Sequence, residues 1–488
     1  MKKTLTKALI ADIGSSSVRI FSLEDSGKMT LFASEQLRTE HRKGNAAIID
    51  VSPLPGMLIR HMTSFIEDFG PVDAVAVTNQ RATAVIYDDS LQPLQEAISW
   101  QDFRTTGRCM SLNRQNIRLA PNQSATKIEF LLDAMDPKRT GINKYKAGTL
   151  DNYAAAVLSG GNLHITDLSN ASLTGLIDRE LGIYDHRVLE ALKIPEEILP
   201  LPVSSIGVVG YASALPGSPP IAAILGDQQA SMIGQACVGQ GHMKITFGTG
   251  AMADVNTGTR SLYKDLLGPN GCTEIIAYKT ADVCSYAIEA IGLSAGSAID
   301  WLCGTLGIVD SPSQIGPLAE SVGDSGGVCF VPAQSGLGTP VWDFGAKASL
   351  SGIGPGTTKA EIARAVLEGI ANIGADLIDA ATDEAGIGDQ TSPLKVDGGM
   401  AENITFLQLL SNITSRQINV APHREATAYG AGLAALTAVG VYGDLSEAVA
   451  DYEPSMIINP TKRADRTRWL DAREKARKNV PALSAIRF

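Results

Sequence analysis

Asp227 has the sequence setting expected of a residue that accepts or donates a proton. It follows the apolar run IAAILG and opens DQQASMIGQ, a stretch with the small and apolar residues typical of a helix. A carboxylate at such a strand-to-helix transition can take a proton from a hydroxyl group. The same position also suits a helix N-cap, which needs only a side-chain oxygen. The local sequence alone favours the cap.

Two short loops have the composition of phosphate-binding turns. Gly14, Ser15 and Ser16 follow the strand pattern ALIADI, and the segment 248–250 (Gly248, Thr249, Gly250) follows MKITF. Backbone N–H groups and hydroxyls at close range bind phosphate oxygens. For either loop taken singly, the sequence favours a plain hairpin turn. Because the two loops occupy matching positions in two halves of the chain, they predict a polyphosphate held from both sides.

Further polar residues lie beside these loops. Asp12 ends the first strand, where a carboxylate either holds Mg²⁺ through water or accepts hydrogen bonds from its own loop. Arg19, on the next strand, suits a transferring phosphoryl group or an ordinary strand surface. A third glycine site, Gly398–Gly399 in KVDGGMAEN, lets a ring or phosphate approach the backbone near Asn403, or forms a plain strand-to-helix turn.

The elements that must position these residues alternate between strands and helices. Strands are predicted at ALIADI, VRIFSL, 72–78, 82–88, 220–225, MKITF, AMADV, 326–332 and 393–399, and helices at 125–135, 227–238, 360–386 and 406–414. Each half opens with the same hairpin plan. This predicts an α/β fold of two related domains with mixed sheets, residues 1–242 and 243–488, which share a cleft.

Length, charge and composition limit the kinds of protein to which this chain can belong. The chain has 488 residues, too many for one core, and a net charge of −11 that argues against nucleic acid as a partner. Its apolar runs are too short to insert into a membrane. Six scattered cysteines without a C-x-x-C pair fit a reducing compartment. We expect a cytoplasmic protein with a small-molecule partner; a homodimer is left open.

The order of these motifs resembles a known family. DIGSSSVR, TNQR, SWQDFRT, GDQQA, FGTG, PAQSGLGTPVWD, VDGG and EATAYGAGLAA occur in this sequence in the order found in the FGGY carbohydrate kinases, closest to the glycerol kinase branch. The resemblance covers about Ala8 to Val449. It implies two actin-like, ribonuclease-H-like domains around a central cleft. It also implies phosphorylation of a hydroxyl of a small polyol or sugar, with Mg²⁺ and ATP as cofactors.

The resemblance also implies roles for individual residues. Asp227 is the general base, and Asp12 and Asp227 are the carboxylates associated with Mg²⁺. The nucleotide and its phosphates are bound by Asp12, Gly14, Ser15, Ser16, Arg19, Gly248, Thr249, Gly250, Gly296, Gly398, Gly399 and Asn403. The polyol or sugar is bound by Arg81, Ala82, Trp100, Asn122, Asp227, Gln228 and Met252.

The predicted acceptor site departs from the glycerol pattern at three of these positions. Ala82, Asn122 and Met252 stand where the glycerol kinases have glutamate, tyrosine and phenylalanine. Losing the glutamate removes an acceptor for a substrate hydroxyl, and an unpartnered buried hydroxyl costs about 1–3 kcal/mol. We therefore expect a reshaped pocket, for a longer or differently oriented polyol or a ketose.

Two other functions use the same phosphate loops. One is an actin-like ATPase whose output is a conformational change, and the other is a relative that binds sugar without turnover. Unlike the ATPase, the kinase also needs a base and a polyol wall, which TNQR, SWQD and GDQQ supply, so the sequence favours the kinase. The departures at Ala82, Asn122 and Met252 leave the sugar-binding relative open.

Overall fold

The computed structural model describes residues 6–387 and 392–486. Strands and helices alternate through both halves of the chain, as the sequence predicts. The strands are β1 (Lys7–Ile13), β2 (Ser17–Glu24), β3 (Met29–Gln36), β4 (Glu40–Arg42), β5 (Ala46–Ile49), β6 (Ala74–Asn79), β7 (Ala84–Tyr87), β8 (Ala97–Ile98), β9 (Lys146–Thr149), β10 (Ile165–Asp167), β11 (Ile177–Asp178), β12 (Ile183–Tyr184), β13 (Leu201–Val203), β14 (Ile206–Tyr211), β15 (Pro220–Gly226), β16 (Met243–Phe247), β17 (Ala251–Gly258), β18 (Thr273–Lys279), β19 (Cys284–Gly292), β20 (Cys329–Val331), β21 (Ser349–Ser351), β22 (Leu394–Asp397), β23 (Ile418–Val420) and β24 (Met456–Ile458).

The α-helices lie mostly between these strands, and four short 3₁₀ segments (142–144, 196–198, 312–314 and 399–402) join them. The α-helices of the described residues are α1 (Leu54–Phe69), α2 (Thr106–Asn113), α3 (Ala125–Met135), α4 (Leu150–Leu158), α5 (Leu168–Ala171), α6 (His186–Leu192), α7 (Asp227–Gly234), α8 (Gly296–Gly304), α9 (Ile315–Glu320), α10 (Lys359–Glu384), α11 (Ile404–Thr414), α12 (Ala426–Ala438), α13 (Leu445–Ala448), α14 (Thr467–Lys475) and α15 (Pro481–Ser484). Within the described ranges, no helix combines the length and apolar character that crossing a bilayer requires.

The first large sheet has the strand order β14-β15-β6-β1-β2-β3. β1 pairs antiparallel with β2 and parallel with β6, and β6 pairs parallel with β15. These three parallel strands are almost continuous apolar runs, because strands covered on both faces bury every side chain. In register, Ile13 lies beside Asn79, and Asn79 beside Gly226. The segments that leave these strands, including Gly14 and Asp227, therefore start at one edge of the sheet.

The second large sheet, β18-β19-β17-β16-β22-β23-β24, repeats this plan. β16 pairs antiparallel with β17 and parallel with β22, as β1 does with β2 and β6. Thr246 lies opposite Asp397 in register, so the loop at Gly248 and the turn at Gly398 share an edge. The predicted α/β class, the mixed sheets and the repeated hairpin are confirmed.

Some predicted elements are shorter than expected. The predicted strand 326–332 is reduced to Cys329–Val331, because Gly326 and Gly327 have φ of +58° and +88°, outside the extended region. The predicted helix 227–238 ends at Gly234. Ala236, two residues later, has a φ of +54° that a helix cannot continue through.

Helix α12 connects the two halves. It packs against α7 and against strands of the first sheet, although it lies late in the chain. A Cβ atom on Gly430 would overlap the Ala230 carbonyl, and one on Gly234 would overlap the Ala426 carbonyl. The backbones of the two helices are therefore in direct contact where the helices cross. A division after residue 242 leaves α12 covalently in one half and packed on the other.

A smaller sheet, β4-β5-β8-β7-β9, extends the first half. Its apolar face packs with α3 and α6 in a core of its own, which includes Ile98, Ile128 and Leu189. The segments that carry Trp100 and Asn122 belong to this region, since they follow β8 and precede α3.

Candidate active site

The loop between β1 and β2 presents its serines to solvent. The Gly14 N–H donates to the Ser17 carbonyl at 2.9 Å, which closes the turn. The carbonyls of Ser15 and Ser16 accept from Thr39 and Leu37, each at 3.2 Å. Both serines are exposed. The loop is thus held from behind by the segment directly after β3, and its serine side chains remain at the surface.

The loop between β16 and β17 is held by a helix instead. The Gly296 N–H, at the start of α8, donates to the Gly248 carbonyl at 2.9 Å, and the Ala295 N–H donates to the Thr249 carbonyl at 2.9 Å. A Cβ atom on Gly250 would lie 2.5 Å from the Gly292 carbonyl, and one on Gly296 would lie 2.6 Å from the Gly248 carbonyl. Both glycines are needed for this close approach, while Gly248 and Thr249 are exposed.

The third glycine site lies against the second loop. Gly398 has a φ of +87°, and a Cβ atom there would overlap the backbone of Phe247, the last residue of β16. Gly399 is exposed and has open space around it. The Asn403 side-chain oxygen accepts from the Phe406 N–H at 3.0 Å and so caps α11. This cap uses the side-chain oxygen of Asn403 and not its amide N–H₂.

Asp12 and Arg19 form an ion pair beside the first loop. They lie opposite each other on β1 and β2, with 2.5 Å between the carboxylate and the guanidinium. The other side of the Arg19 guanidinium pairs with Glu425, just before α12. Burial raises the pKa of Asp12 to about 6, against the opposing effect of Arg19. Arg19 is thus shared between two carboxylates at the place where phosphate is predicted to bind.

Asp227 is the first residue of α7, and Gly226 occupies the N-cap position. The Asp227 carboxylate accepts the N–H of Gln228 at 2.8 Å and lies 3.4 Å from the Arg81 guanidinium. Its side chain keeps 32 % of its surface exposed, although protein surrounds it on most sides. Burial raises the pKa of this carboxyl, and Arg81, the Gln228 N–H and Lys244 act in the opposite direction. Asp227 is therefore a reachable carboxylate with a raised affinity for protons.

Arg81 joins Asp227 to the second half of the chain. Its guanidinium lies 2.7 Å from the Glu289 carboxylate on β19 and 3.8 Å from the Met252 sulfur on β17. The next residue, Ala82, is buried and has a φ of +59°, a left-handed conformation that residues with a Cβ rarely adopt. The structure thus brings together four of the predicted acceptor residues: Arg81, Ala82, Asp227 and Met252.

Gln228 is fixed by a lysine that the sequence analysis missed. The Lys244 ammonium, on β16, donates to the Gln228 side-chain oxygen at 2.6 Å and pairs with Asp254 on β17 at 2.9 Å. Lys244 and Asp254 are fully buried. A lysine inside the apolar strand MKITF and an aspartate inside AMADV are the signals in the sequence, since buried charges need partners.

Trp100 and Asn122 lie in the segment between β8 and α3, beside the smaller sheet. Trp100 is half-buried in the turn after β8, and the Asn122 carbonyl accepts from the Lys127 ammonium at 2.9 Å. Lys127 is fully buried, and burial lowers its pKa to about 7. Across the described ranges, no hydrogen bond or ion pair joins Trp100 or Asn122 to Asp227. Their assignment to the acceptor site stays a prediction.

A buried polar network holds the turn that carries Asp227. The Gly226 N–H donates to the Ser169 hydroxyl at 2.9 Å, and the Gln229 amide donates to the Ser169 carbonyl at 3.2 Å. Asn170, one residue further along α5, exchanges two hydrogen bonds with Asn79 at the end of β6. Helix α5 thereby fixes the ends of β6 and β15 side by side, which sets Arg81 beside Asp227.

The described residues contain no cluster of three or more metal-ligating side chains. Asp12 offers one buried carboxylate next to the first loop. That donor set fits Mg²⁺, which keeps most of its water and binds through one or two carboxylates together with substrate phosphates.

Models of a known family match both halves of the chain. The N-terminal domain of the FGGY family of carbohydrate kinases matches residues 7–234, and the C-terminal domain of that family matches residues 243–439. The chain is similar to glycerol kinase 2 of Sulfolobus acidocaldarius, with 36% identity over 399 residues and 79% of each chain covered. It is 39% identical over 388 residues to the glycerol kinase of Koribacter versatilis, covering 76% of this chain and 77% of that one.

A solved structure shares the arrangement of the whole chain. The crystal structure of Plasmodium falciparum glycerol kinase with ADP superimposes with a TM-score of 0.86 over 99% of both chains, at 28% identity. The predicted family resemblance and the predicted two-domain, actin-like fold with mixed sheets are confirmed. These similarities also favour a kinase over an ATPase with a conformational output.

Proposed function

The chain belongs to the FGGY family of carbohydrate kinases, and we propose that it phosphorylates a hydroxyl of a small polyol or ketose with Mg-ATP, using Asp227 as the general base. One observation supports this most strongly. Asp227 is a partly exposed carboxylate at the edge of a buried, cross-domain group of charges. A purely structural carboxylate at such a place would be expected to be fully enclosed and paired.

The proposed chemistry at Asp227 is a single proton transfer. Phosphoryl transfer needs positioning, stabilisation of charge and an acceptor for the proton of the attacking hydroxyl. The raised pKa of Asp227 increases its ability to take that proton. Arg81, 3.4 Å away, opposes the effect of burial on the pKa of Asp227 and so favours the ionised carboxylate.

The phosphates of ATP are proposed to bind between the two loops. Ser15 and Ser16 on one side and Thr249 on the other are exposed and supply hydroxyls and backbone N–H groups. Arg19 is proposed to exchange its bond to Glu425 for a phosphate oxygen, because its guanidinium bridges two carboxylates and is 28 % exposed. Mg²⁺ held by Asp12 would supply neutralisation of phosphate charge. The nucleotide is proposed to continue toward Gly399 and Asn403.

The acceptor is proposed to lie against Arg81, Gln228 and Met252. Ala82 and Met252 give this wall no carboxylate and no aromatic ring, unlike the glycerol kinase pattern that the sequence resembles. Instead, the Arg81 guanidinium donates a hydrogen bond to the Met252 sulfur. This flexible side chain leaves room for an acceptor longer than glycerol. Trp100 and Asn122 are proposed to form the far wall.

The experiment is an acceptor panel. The protein is incubated with Mg-ATP and glycerol, erythritol, xylitol or D-xylulose, and ADP release is followed. We expect release that depends on an acceptor in the wild type and a loss of at least about 10³-fold in Asp227→Asn, which keeps the shape but not the base. Asp282→Asn, the same substitution at an exposed residue outside the site, is the matched control. Release that survives in Asp227→Asn would remove the base from its proposed role, and no release with any acceptor would overturn the proposed substrate class.

A further inference from the structure

A row of charged side chains crosses four adjacent strands of the second sheet. Lys395 on β22, Lys244 on β16, Asp254 on β17 and Glu289 on β19 lie directly opposite one another in register. Side chains opposite one another in register project from the same face of a sheet. One face of the second half therefore carries two cations followed by two carboxylates.

This row contacts the first half of the chain at three points. Lys395 donates to the Ala236 carbonyl at 2.8 Å, Lys244 donates to the Gln228 side chain at 2.6 Å, and Glu289 pairs with Arg81 at 2.7 Å. Two of these three partners, Gln228 and Arg81, are proposed acceptor contacts. Residues of the half that is proposed to bind ATP thus bond to two residues of the other half, Gln228 and Arg81, that are proposed to bind the acceptor.

Lys244 has partners from both halves of the chain. Its ammonium donates to Gln228 at 2.6 Å and to the Thr246 hydroxyl at 2.9 Å, and it forms an ion pair with the Asp254 carboxylate at 2.9 Å. An ammonium has three N–H donors and no acceptor. Lys244 is fully buried, so its ammonium is not exposed to a substrate.

The bond to Lys244 decides which end of the Gln228 amide faces the acceptor. Since an ammonium only donates, its partner must be the amide oxygen. The N–H₂ group is then the free end of the side chain. Without the lysine, the two ends of the amide could exchange by a simple rotation.

We propose that Lys244 is a positioning residue that fixes the Gln228 amide, so that its N–H₂ group donates to an oxygen atom of the acceptor. This inference rests on the proposed function, which makes Gln228 an acceptor contact. Because the lysine and the glutamine come from different halves, the acceptor site obtains this donor only when the halves are docked. The atom recognised is a hydroxyl or keto oxygen with a free lone pair.

The test removes the lysine without leaving a buried charge unpaired. In Lys244→Met/Asp254→Leu both members of the ion pair become apolar, which avoids the cost of an isolated carboxylate. KM is measured for ATP and for glycerol, erythritol, xylitol and D-xylulose. We expect the acceptor KM to rise about tenfold, as for the loss of one charge-assisted hydrogen bond, and the ATP KM to stay within about twofold. An unchanged acceptor KM, or equal increases for both substrates, overturns the inference.

A second background tests whether the lysine acts through Gln228. In Gln228→Ala the amide is gone, so adding Lys244→Met/Asp254→Leu should raise the acceptor KM by less than about twofold. Independent, multiplying effects would show that the lysine acts by another route. Lys395→Met is the matched control, since Lys395 lies on the next strand in the same register but contacts the Ala236 carbonyl. Its acceptor KM should equal that of the wild type.

Failure of the proposed function can be told apart from failure of this inference. If the wild type phosphorylates none of the four acceptors, the proposed function fails, and crystal structures of the wild type and the double variant decide the inference. A Gln228 amide that turns or disorders in the variant supports the role of Lys244. An amide that keeps its position and orientation overturns it.

Discussion

The two hairpins that carry the loops share one plan but place their ion pairs at different depths. In β1–β2, Asp12 and Arg19 face each other one pair away from the loop. In β16–β17 the same place is taken by Thr246 and Met252, and the ion pair, Lys244 with Asp254, lies two residues further back. The side chains of Arg19 and Asp12 are 28 % and 3 % exposed, while those of Lys244 and Asp254 are both 0 % exposed.

This difference in depth separates two uses of the same pair of charges. Arg19 reaches solvent and already divides its guanidinium between two carboxylates, so it can exchange a partner for a phosphate. Lys244 is enclosed, and its partners are fixed. A partly exposed charge pair near the loop can therefore exchange a partner for a phosphate. A fully buried pair between the two halves can instead hold them in a fixed alignment.

Breaking the buried pair should have the largest effect on stability. We expect Lys244→Met to lower the free energy of unfolding by about 3–5 kcal/mol, because Asp254 becomes an unpaired buried charge. Arg19→Met should cost less, because the guanidinium is 28 % exposed and Asp12, whose pKa burial already raises, can take up a proton. Urea denaturation at pH 7 measures both. Adding Asp254→Leu to Lys244→Met should recover most of the loss; if it does not, the depth of the pair is not the cause.

The opposite ranking is expected for activity. Arg19→Met should lower kcat about 10²–10³-fold, the usual effect of removing a donor that stabilises transferring charge. Lys244→Met/Asp254→Leu should keep kcat within about tenfold, because its effect falls on acceptor binding. Steady-state ADP release with saturating acceptor measures both. Equal losses of kcat in the two variants would mean that both ion pairs serve the phosphates.

The first hairpin should also show a pH dependence that the second lacks. Burial raises the pKa of Asp12 to about 6, so its ionisation costs more in the folded state than in the unfolded state. Whatever stability the protonated carboxyl provides is present below pH 4 and is lost as the pH rises through 6. Asp12→Asn cannot ionise, so its stability relative to the wild type should grow between pH 4 and 7, by up to about 3 kcal/mol.

The matched control for this titration is the second hairpin. Burial lowers the pKa of Lys244, but Asp254 and Asp397 outweigh burial and leave the pKa above its usual value. Lys244→Met/Asp254→Leu should therefore differ from the wild type by a constant amount over pH 4–7. Urea denaturation without nucleotide or Mg²⁺ gives both profiles, and a flat profile for Asp12→Asn would contradict the assignment.

The smallest difference is expected between the glycines of the two loops, in the stability that a Gly→Ala substitution costs. A Cβ atom on Gly14 would lie 3.5 Å from the Ser17 carbonyl, an ordinary contact, whereas one on Gly250 would lie 2.5 Å from the Gly292 carbonyl. We expect Gly250→Ala to cost about 1–3 kcal/mol and to raise the ATP KM, since the loop must shift. Gly14→Ala should cost less than about 1 kcal/mol. Thermal unfolding and ATP kinetics compare them, and equal costs would show that the second loop is not held by close packing.

Local sequence patterns predicted most of the secondary structure. Both hairpins were predictable because each strand is a buried apolar run and each loop is made of glycine, serine or threonine. The local prediction that Asp227 caps α7 was wrong, because the structure gives the N-cap position to Gly226 and makes Asp227 the first residue of the helix. The left-handed conformation of Ala82 has no signal in its residue type.

By itself, the sequence determined the repeated hairpin plan, the α/β class and the presence of Asp227 at the start of a helix, because these depend on residues close together in the chain. Only the tertiary structure decided that Lys244 bonds Gln228, that Glu289 pairs with Arg81, and that α12 packs on the first sheet. These contacts join residues of different halves. Their formation depends on how two folded sheets dock, because a buried charge takes whichever partner the docked surface brings within reach.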